Sequence, residues 1–222
     1  MTVSPFPTRL APPRRSDWLV PVLLVLLSLV PSVFGAARLA EIASGARITP
    51  ANARFMNTPL PVVVHVLAVV PFGLVGAFQF SASIRRRHRA WHRAAGRVLV
   101  ALGMVAALSG LWMTLTYPWP AGDGVAVYVE RLVFGTAMAV AIVLAVHAIL
   151  RRDFVTHGEW MTRAYAIGLG AGTQVFTHLP WFLIFGQPRE PERAVMMGAG
   201  WVINAAVAEW VIHRRWRRDT AR

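Results

Sequence analysis

Seven histidines hold most of the chemistry available to this chain. His65, His147 and His178 fall inside apolar runs, while His88, His92, His157 and His213 stand beside arginines or at the ends of such runs. An imidazole in hydrocarbon is costly enough to need a partner, either a metal or a hydrogen-bonding group. The chain has no cysteine, which excludes disulfides, thiolate nucleophiles, iron–sulfur clusters and covalent haem attachment. A cofactor must then be held by His, Met, carboxylate or backbone.

Paired histidines at two depths would suit the axial ligation of b-type haem. His65 lies six residues into its apolar run and His178 seven from the end of its own, which buries each roughly 10 Å deep at ~1.5 Å per residue. These two are expected to face one another across an outer haem, with His92 and His157, or His92 and His147, holding an inner one. His157 and His178 are 21 residues apart, about 31 Å of helical rise and within ~60° of the same face, with Ala164 and Ala171 at the heptad positions between them. A plainer assignment stands beside this one. Buried histidines commonly bond a carbonyl or hydroxyl, and those beside arginine contact lipid phosphate. A small proton-coupled transporter is a third alternative, with Pro71 and the run Gly168, Gly170, Gly172 as candidate helix interruptions.

The elements that must position these residues are membrane helices. The 222 residues are 56% hydrophobic and 15% charged, against about a quarter charged in soluble domains. Apolar runs at 18–37, 59–80, about 95–117, 125–150, 160–185 and 194–212 are each long enough to cross a bilayer of ~20 helical residues. The expected fold is an all-α membrane protein of six transmembrane helices, with spans two to five forming a central four-helix bundle and the first and last at its periphery. Residues 1–17 read as a disordered basic tail, 18–213 as one transmembrane domain and 214–222 as a second basic tail. The first run exceeds the ~7–15-residue apolar core of a signal peptide, so it is expected to be a retained helix.

The net charge is +13 and every basic residue is arginine. Six fall between Ser81 and Arg97: Arg85, Arg86, Arg87, Arg89, Arg93 and Arg97. Clustering at the ends of apolar runs points to anionic headgroups and not to nucleic acid. With both termini cytoplasmic, seventeen arginines fall on the inner side and six on the outer, as retention of basic residues in the cytoplasm requires. Arg163 joins the expected headgroup-binding set. A second copy of the chain and an electron-transfer partner are left open.

On the second span, His65, Phe72, Gly76 and Gln79 share one face. On the third, Gly96, Gly103 and Gly110 recur at heptad spacing, a seam for close approach of a helix or a flat ligand. Glu209 could pair with His213 four residues on or neutralise an inner arginine. No phosphate loop, dinucleotide fingerprint, zinc-protease motif or serine elbow appears, so no enzyme class is indicated; a redox role would be that of a haem b electron carrier.

The order of a His-bearing span ending in Gly76-Ala-Phe-Gln79-Phe80, then HRAAGR from His92 to Arg97, then His157, Trp160-Met161, Arg163 and Tyr165 resembles the bacterial membrane-protein family of domain of unknown function 2306 (DUF2306). The resemblance covers about residues 65–165, within a family-like core of about 59–185. Leu99 stands where the family pattern carries Tyr, and Gly158 where Arg often follows the His. The resemblance implies a multi-pass protein of the bacterial inner membrane and no particular activity.

Overall fold

A computed structural model describes residues 16–220. Most of the expected tail at 1–17 and the last two residues of the tail at 214–222 lie outside the described residues. Within them the chain is helical, with no strand. The long helices are α1 (Ser16–Ala43), α3 (Pro59–Gly76), α5 (Arg89–Thr116), α6 (Val125–Leu150) and α9 (Glu190–Thr220). Shorter ones are α2 (Ala53–Asn57), α4 (Ala82–Arg87), α7 (Phe154–Gly168) and α8 (Gly170–Phe185), and a 3-10 turn over Ala77–Phe80 extends α3. Five of these helices are long and apolar enough to cross a membrane.

The expected fifth span is the main departure. Residues 160–185 are not one helix: the chain is interrupted at Leu169, between α7 and α8. Glycine on either side weakens the helix, costing about 1 kcal/mol each relative to alanine. A side chain from α9 also enters the gap, where Asn204 Nδ2 donates to the Ala166 carbonyl (3.0 Å) and its Oδ1 accepts from Thr173 (2.7 Å). The helical-wheel placement of His157 and His178 on one face assumed an unbroken helix, which the interruption at Leu169 removes.

Two boundaries also moved. α5 begins at Arg89, so much of the Arg-rich stretch is helical rather than a connection, in keeping with the good helix propensity of Arg and Ala. α9 begins at Glu190, with Glu190, Pro191 and Glu192 in its first turn, where proline and carboxylates are favoured, and continues past Ile212 to Thr220.

The main core draws on four helices: Phe72 from α3, Leu99 and Ala107 from α5, Met138, Ala141 and Ile142 from α6, and Ala164 and Tyr165 from α7. α3 and α5 interlock in register. A Cβ on Gly96 would meet Gln79, one on Gly103 would meet Phe72 and one on Gly110 would meet His65, each pair one heptad from the next. The polar face of α3 and the glycine seam of α5 are therefore one interface. α8 leaves this bundle and packs on α9 and α1. Large apolar side chains at its end, such as Leu183, Ile184 and Phe185, stand outward, as they do along α1, and form a surface suited to lipid.

Candidate functional site

A cavity of about 470 Å³ lies inside the bundle. Its walls come from α1 (Ser28, Ser32), α3 (His65, Val69), α5 (Ala106, Gly110, Met113), α6 (Gly135, Met138) and the interrupted segment (Gly168, Leu169, Ala171). Along α5 it runs from Ala106 to Tyr117, about 16 Å at ~1.5 Å per residue. α1 is thus a wall of the cavity and not only a peripheral helix. The glycines do different work: Gly168 and Gly135 are filled from behind by Phe72 and Leu111, whereas a Cβ on Gly110 would meet only the edge of His65 at 3.5 Å.

His65 lines this space. Its Nδ1 lies 3.0 Å from the Ala106 carbonyl and 3.1 Å from Ser109 Oγ. A carbonyl can only accept, so Nδ1 carries the proton of the neutral ring and Nε2 keeps its lone pair. The same pattern recurs at His157, whose Nδ1 faces the Ala145 carbonyl at 2.9 Å, and at His178, whose Nδ1 faces the Gln174 carbonyl at 2.8 Å. His178 does not line the cavity. His147 is exposed on α6, while His92 is half-buried with an Nδ1 that lacks a partner, close enough to His157 to interact electrostatically. No group of three or more His, Asp or Glu among the described residues could hold a metal ion.

One end of the cavity carries Arg54, Phe55, Tyr117, Trp119 and Arg131. Tyr117 ties this end together, donating to the Thr58 carbonyl (2.6 Å) and accepting from the Val62 amide (3.3 Å); burial pushes its phenol above the usual range. Asp123, almost fully buried, pairs with Arg131 at 2.5 Å and with Arg193. Sequence reasoning missed this rim because its members come from α2, the connection after α5, and the first turns of α6 and α9, with no shared periodicity.

At the other end the motif residues converge. Tyr165 donates to the Gly73 carbonyl at 2.6 Å, packs on Phe72 and Phe80, and fills the space a side chain at Gly76 would need. Gln79 packs beside Gly96, and its Nε2 is buried without a partner. Arg163 is engaged within the protein: Nε and Nη2 donate to Glu209 at 2.6 and 3.0 Å, and its guanidinium lies over Trp160. Of the two partners expected for Glu209, the structure shows the arginine; His213 Nδ1 turns to the Glu209 carbonyl.

A family model described as a predicted membrane protein, DUF2306, matches residues 62–212. The chain belongs to the DUF2306 family. The match runs past Tyr165 through most of α9, so the DUF2306 unit holds the helix interruption and the Asn204 and Glu209 contacts, with α1 outside it. No curated protein and no solved structure matches the chain. Two departures from the DUF2306 pattern are easily housed: Leu99 is buried in the core, and a side chain at Gly158 would meet open space.

Proposed function

We propose that this DUF2306 protein binds a small molecule inside its helix bundle, in the cavity lined by His65. The observation that carries this is a partly open cavity of about 470 Å³ lined by residues of α1, α2, α3 and α5–α9, within the roughly 300–1,000 Å³ of sites that hold one small ligand. In this reading the chain crosses the membrane six times, α7 and α8 together making the fifth passage. The Arg-rich end faces the cytoplasm of a bacterial inner membrane, which the asymmetry of arginine supports.

The redox form of the proposal places b-type haem at His65, whose ring is oriented by Ala106 and Ser109 with Nε2 left for a metal. Haem would supply one-electron transfer; the chain would orient it and exclude water. The test is an absorption spectrum of protein expressed with added haem, oxidised and then dithionite-reduced. A Soret band that shifts on reduction and is lost in His65→Ala supports haem. Its survival in His65→Ala removes His65 as ligand, and a flat spectrum from monodisperse protein removes the haem form and leaves a colourless ligand. His178→Ala reports on the pair expected from sequence.

A second reading concerns the Arg-rich end. Arg85, Arg86, Arg87, Arg89, Arg93 and Arg97 are all exposed, and a shallow recess between Trp18, Ile84, Arg87, His88 and Trp91 combines aromatic and cationic groups as an interfacial headgroup site would. Replacing Arg89, Arg93 and Arg97 together by Gln is expected to lower co-purified anionic phospholipid severalfold, measured by phosphorus analysis and mass spectrometry. Unchanged lipid content would remove this reading.

A further inference from the structure

Charges at the rim of the cavity are unevenly paired, and the unevenness centres on one side chain. Arg131 and Arg193 share the single carboxylate of Asp123, and Arg38 is paired with Glu41. Glu190 lies against Gly124 and Glu130 against Gly198, and Glu192 keeps a buried Oε2 without a hydrogen-bond partner; none of the three forms an ion pair with Arg54. Arg54 lines the cavity, yet among the described residues its guanidinium forms no ion pair and its Nε is buried without a hydrogen-bond partner. Its guanidinium lies over the Phe55 ring, 4.4 Å from the centroid, and Arg38 lies at the same distance from that ring. Burial, and then repulsion from Arg131, hold the Arg54 guanidinium below its usual range, with Asp123 offsetting part of this. A half-buried cation without a counter-ion is a cost that a bound anion would remove.

Behind Arg54 the cavity is apolar, between Val66, Val70, Ala107, Met113 and Met138. We propose that Arg54 receives the carboxylate or phosphate head of a single-chain or single-ring amphiphile whose apolar body occupies the cavity. The volume, about 470 Å³, accommodates one such body. Arg131, held by Asp123, provides a second positive edge, and Tyr117 and Trp119 flank the head as interfacial aromatics. This rests on the cavity-binding reading, and not on haem as the ligand.

The test uses the full chain in maltoside detergent, with palmitate, hexadecyl phosphate and hexadecanol competing against a fluorescent fatty acid. The two anions should bind at least about tenfold more tightly than the alcohol. Arg54→Gln should erase that preference while leaving hexadecanol affinity unchanged, which also shows that the variant is folded, and Arg54→Lys should keep most of it. Equal binding of acid and alcohol to the wild type, or an undiminished preference in Arg54→Gln, overturns the assignment of the head while the cavity reading stands. Failure of all three probes to bind, hexadecanol included, overturns the amphiphile assignment, and the haem spectrum then decides the cavity reading by itself. Organic extracts of protein purified from membranes separate the sources. A single-chain lipid acid recovered from wild type and missing from Arg54→Gln assigns a membrane ligand, and binding of added palmitate to protein with an empty extract assigns one that arrives through water.

Discussion

Gly103→Ala is expected to destabilise the detergent-solubilised protein by about 1–3 kcal/mol, the usual cost of forcing a methyl group into a filled core. The added Cβ would lie 2.6 Å from the edge of the Phe72 ring and 3.2 Å from Ile142. Phe72 cannot turn away, because its opposite edge already occupies the space beside Gly168, where a Cβ would stand 2.8 Å off, and the ring is only 2% exposed. Relief would require α3 and α5 to separate, and these two helices form one of the closest pairs in the bundle. Gly96→Ala and Gly110→Ala occupy the same seam and are expected to be neutral to stabilising by up to about 1 kcal/mol, since their nearest neighbours lie at 3.7 and 3.5 Å, ordinary contact distances, and alanine is the better helix former. Thermal midpoints of the three variants, followed by size-exclusion fluorescence, decide the matter. A Gly103→Ala midpoint equal to the other two would show that the interface is looser than the packing described.

Asn204→Leu is the second substitution with a large expected effect. It removes the donor to the Ala166 carbonyl and the acceptor of the Thr173 hydroxyl in one step, at a place where both side chains are about 9% exposed. Orphaning a buried polar group costs about 1–3 kcal/mol. Hydrogen bonds between membrane helices average nearer ~0.6 kcal/mol, so an outcome at the lower end is expected unless the interruption depends on this contact. The Thr173 hydroxyl has an escape, since a threonine can turn to a carbonyl in its own helix, so Thr173→Val should cost less. A double-mutant cycle between the two should show coupling of roughly 0.5 kcal/mol or more. Hydrogen exchange localises the effect: amides from Leu169 to Thr173 should exchange faster in Asn204→Leu, with α3 and α5 unchanged. Unaltered exchange across the interruption would mean that glycine alone sets it.

Both substitutions bear on the cavity. Phe72 packs beside its floor at Gly168, and Ala166 precedes the turn that carries Leu169 and Ala171 into its wall. A ligand that rests on the interruption should therefore protect the 169–173 amides.

How much of the site was legible varies residue by residue. Face and seam could be read from spacing, since His65, Phe72 and Gln79 follow a helical period and Gly96, Gly103 and Gly110 follow a heptad; their pairing required only that two antiparallel helices share a period. Arg163 and Glu209 are 46 residues apart, so only docking of α9 on α7 chose between the partners open to Glu209. Arg54 gave no signal in the sequence beyond being one of six arginines outside the basic clusters.

By itself the sequence determined the solvent. Long apolar runs bounded by arginine cannot fold in water, and backbone hydrogen bonding within hydrocarbon permits such runs only one regular form, so helix and membrane follow from composition and length alone. The family was also determined there, because its motifs are local. Tertiary structure decided what is not local: that the fifth run is interrupted where a side chain from α9 reaches its backbone, that His65 faces a cavity and His178 does not, and that the carboxylates near the far rim leave Arg54 without a partner. Periodicity fixes which residues share a face of one helix. Which group on another helix meets that face depends on how all the helices pack at once, and spacing along the chain holds no record of it.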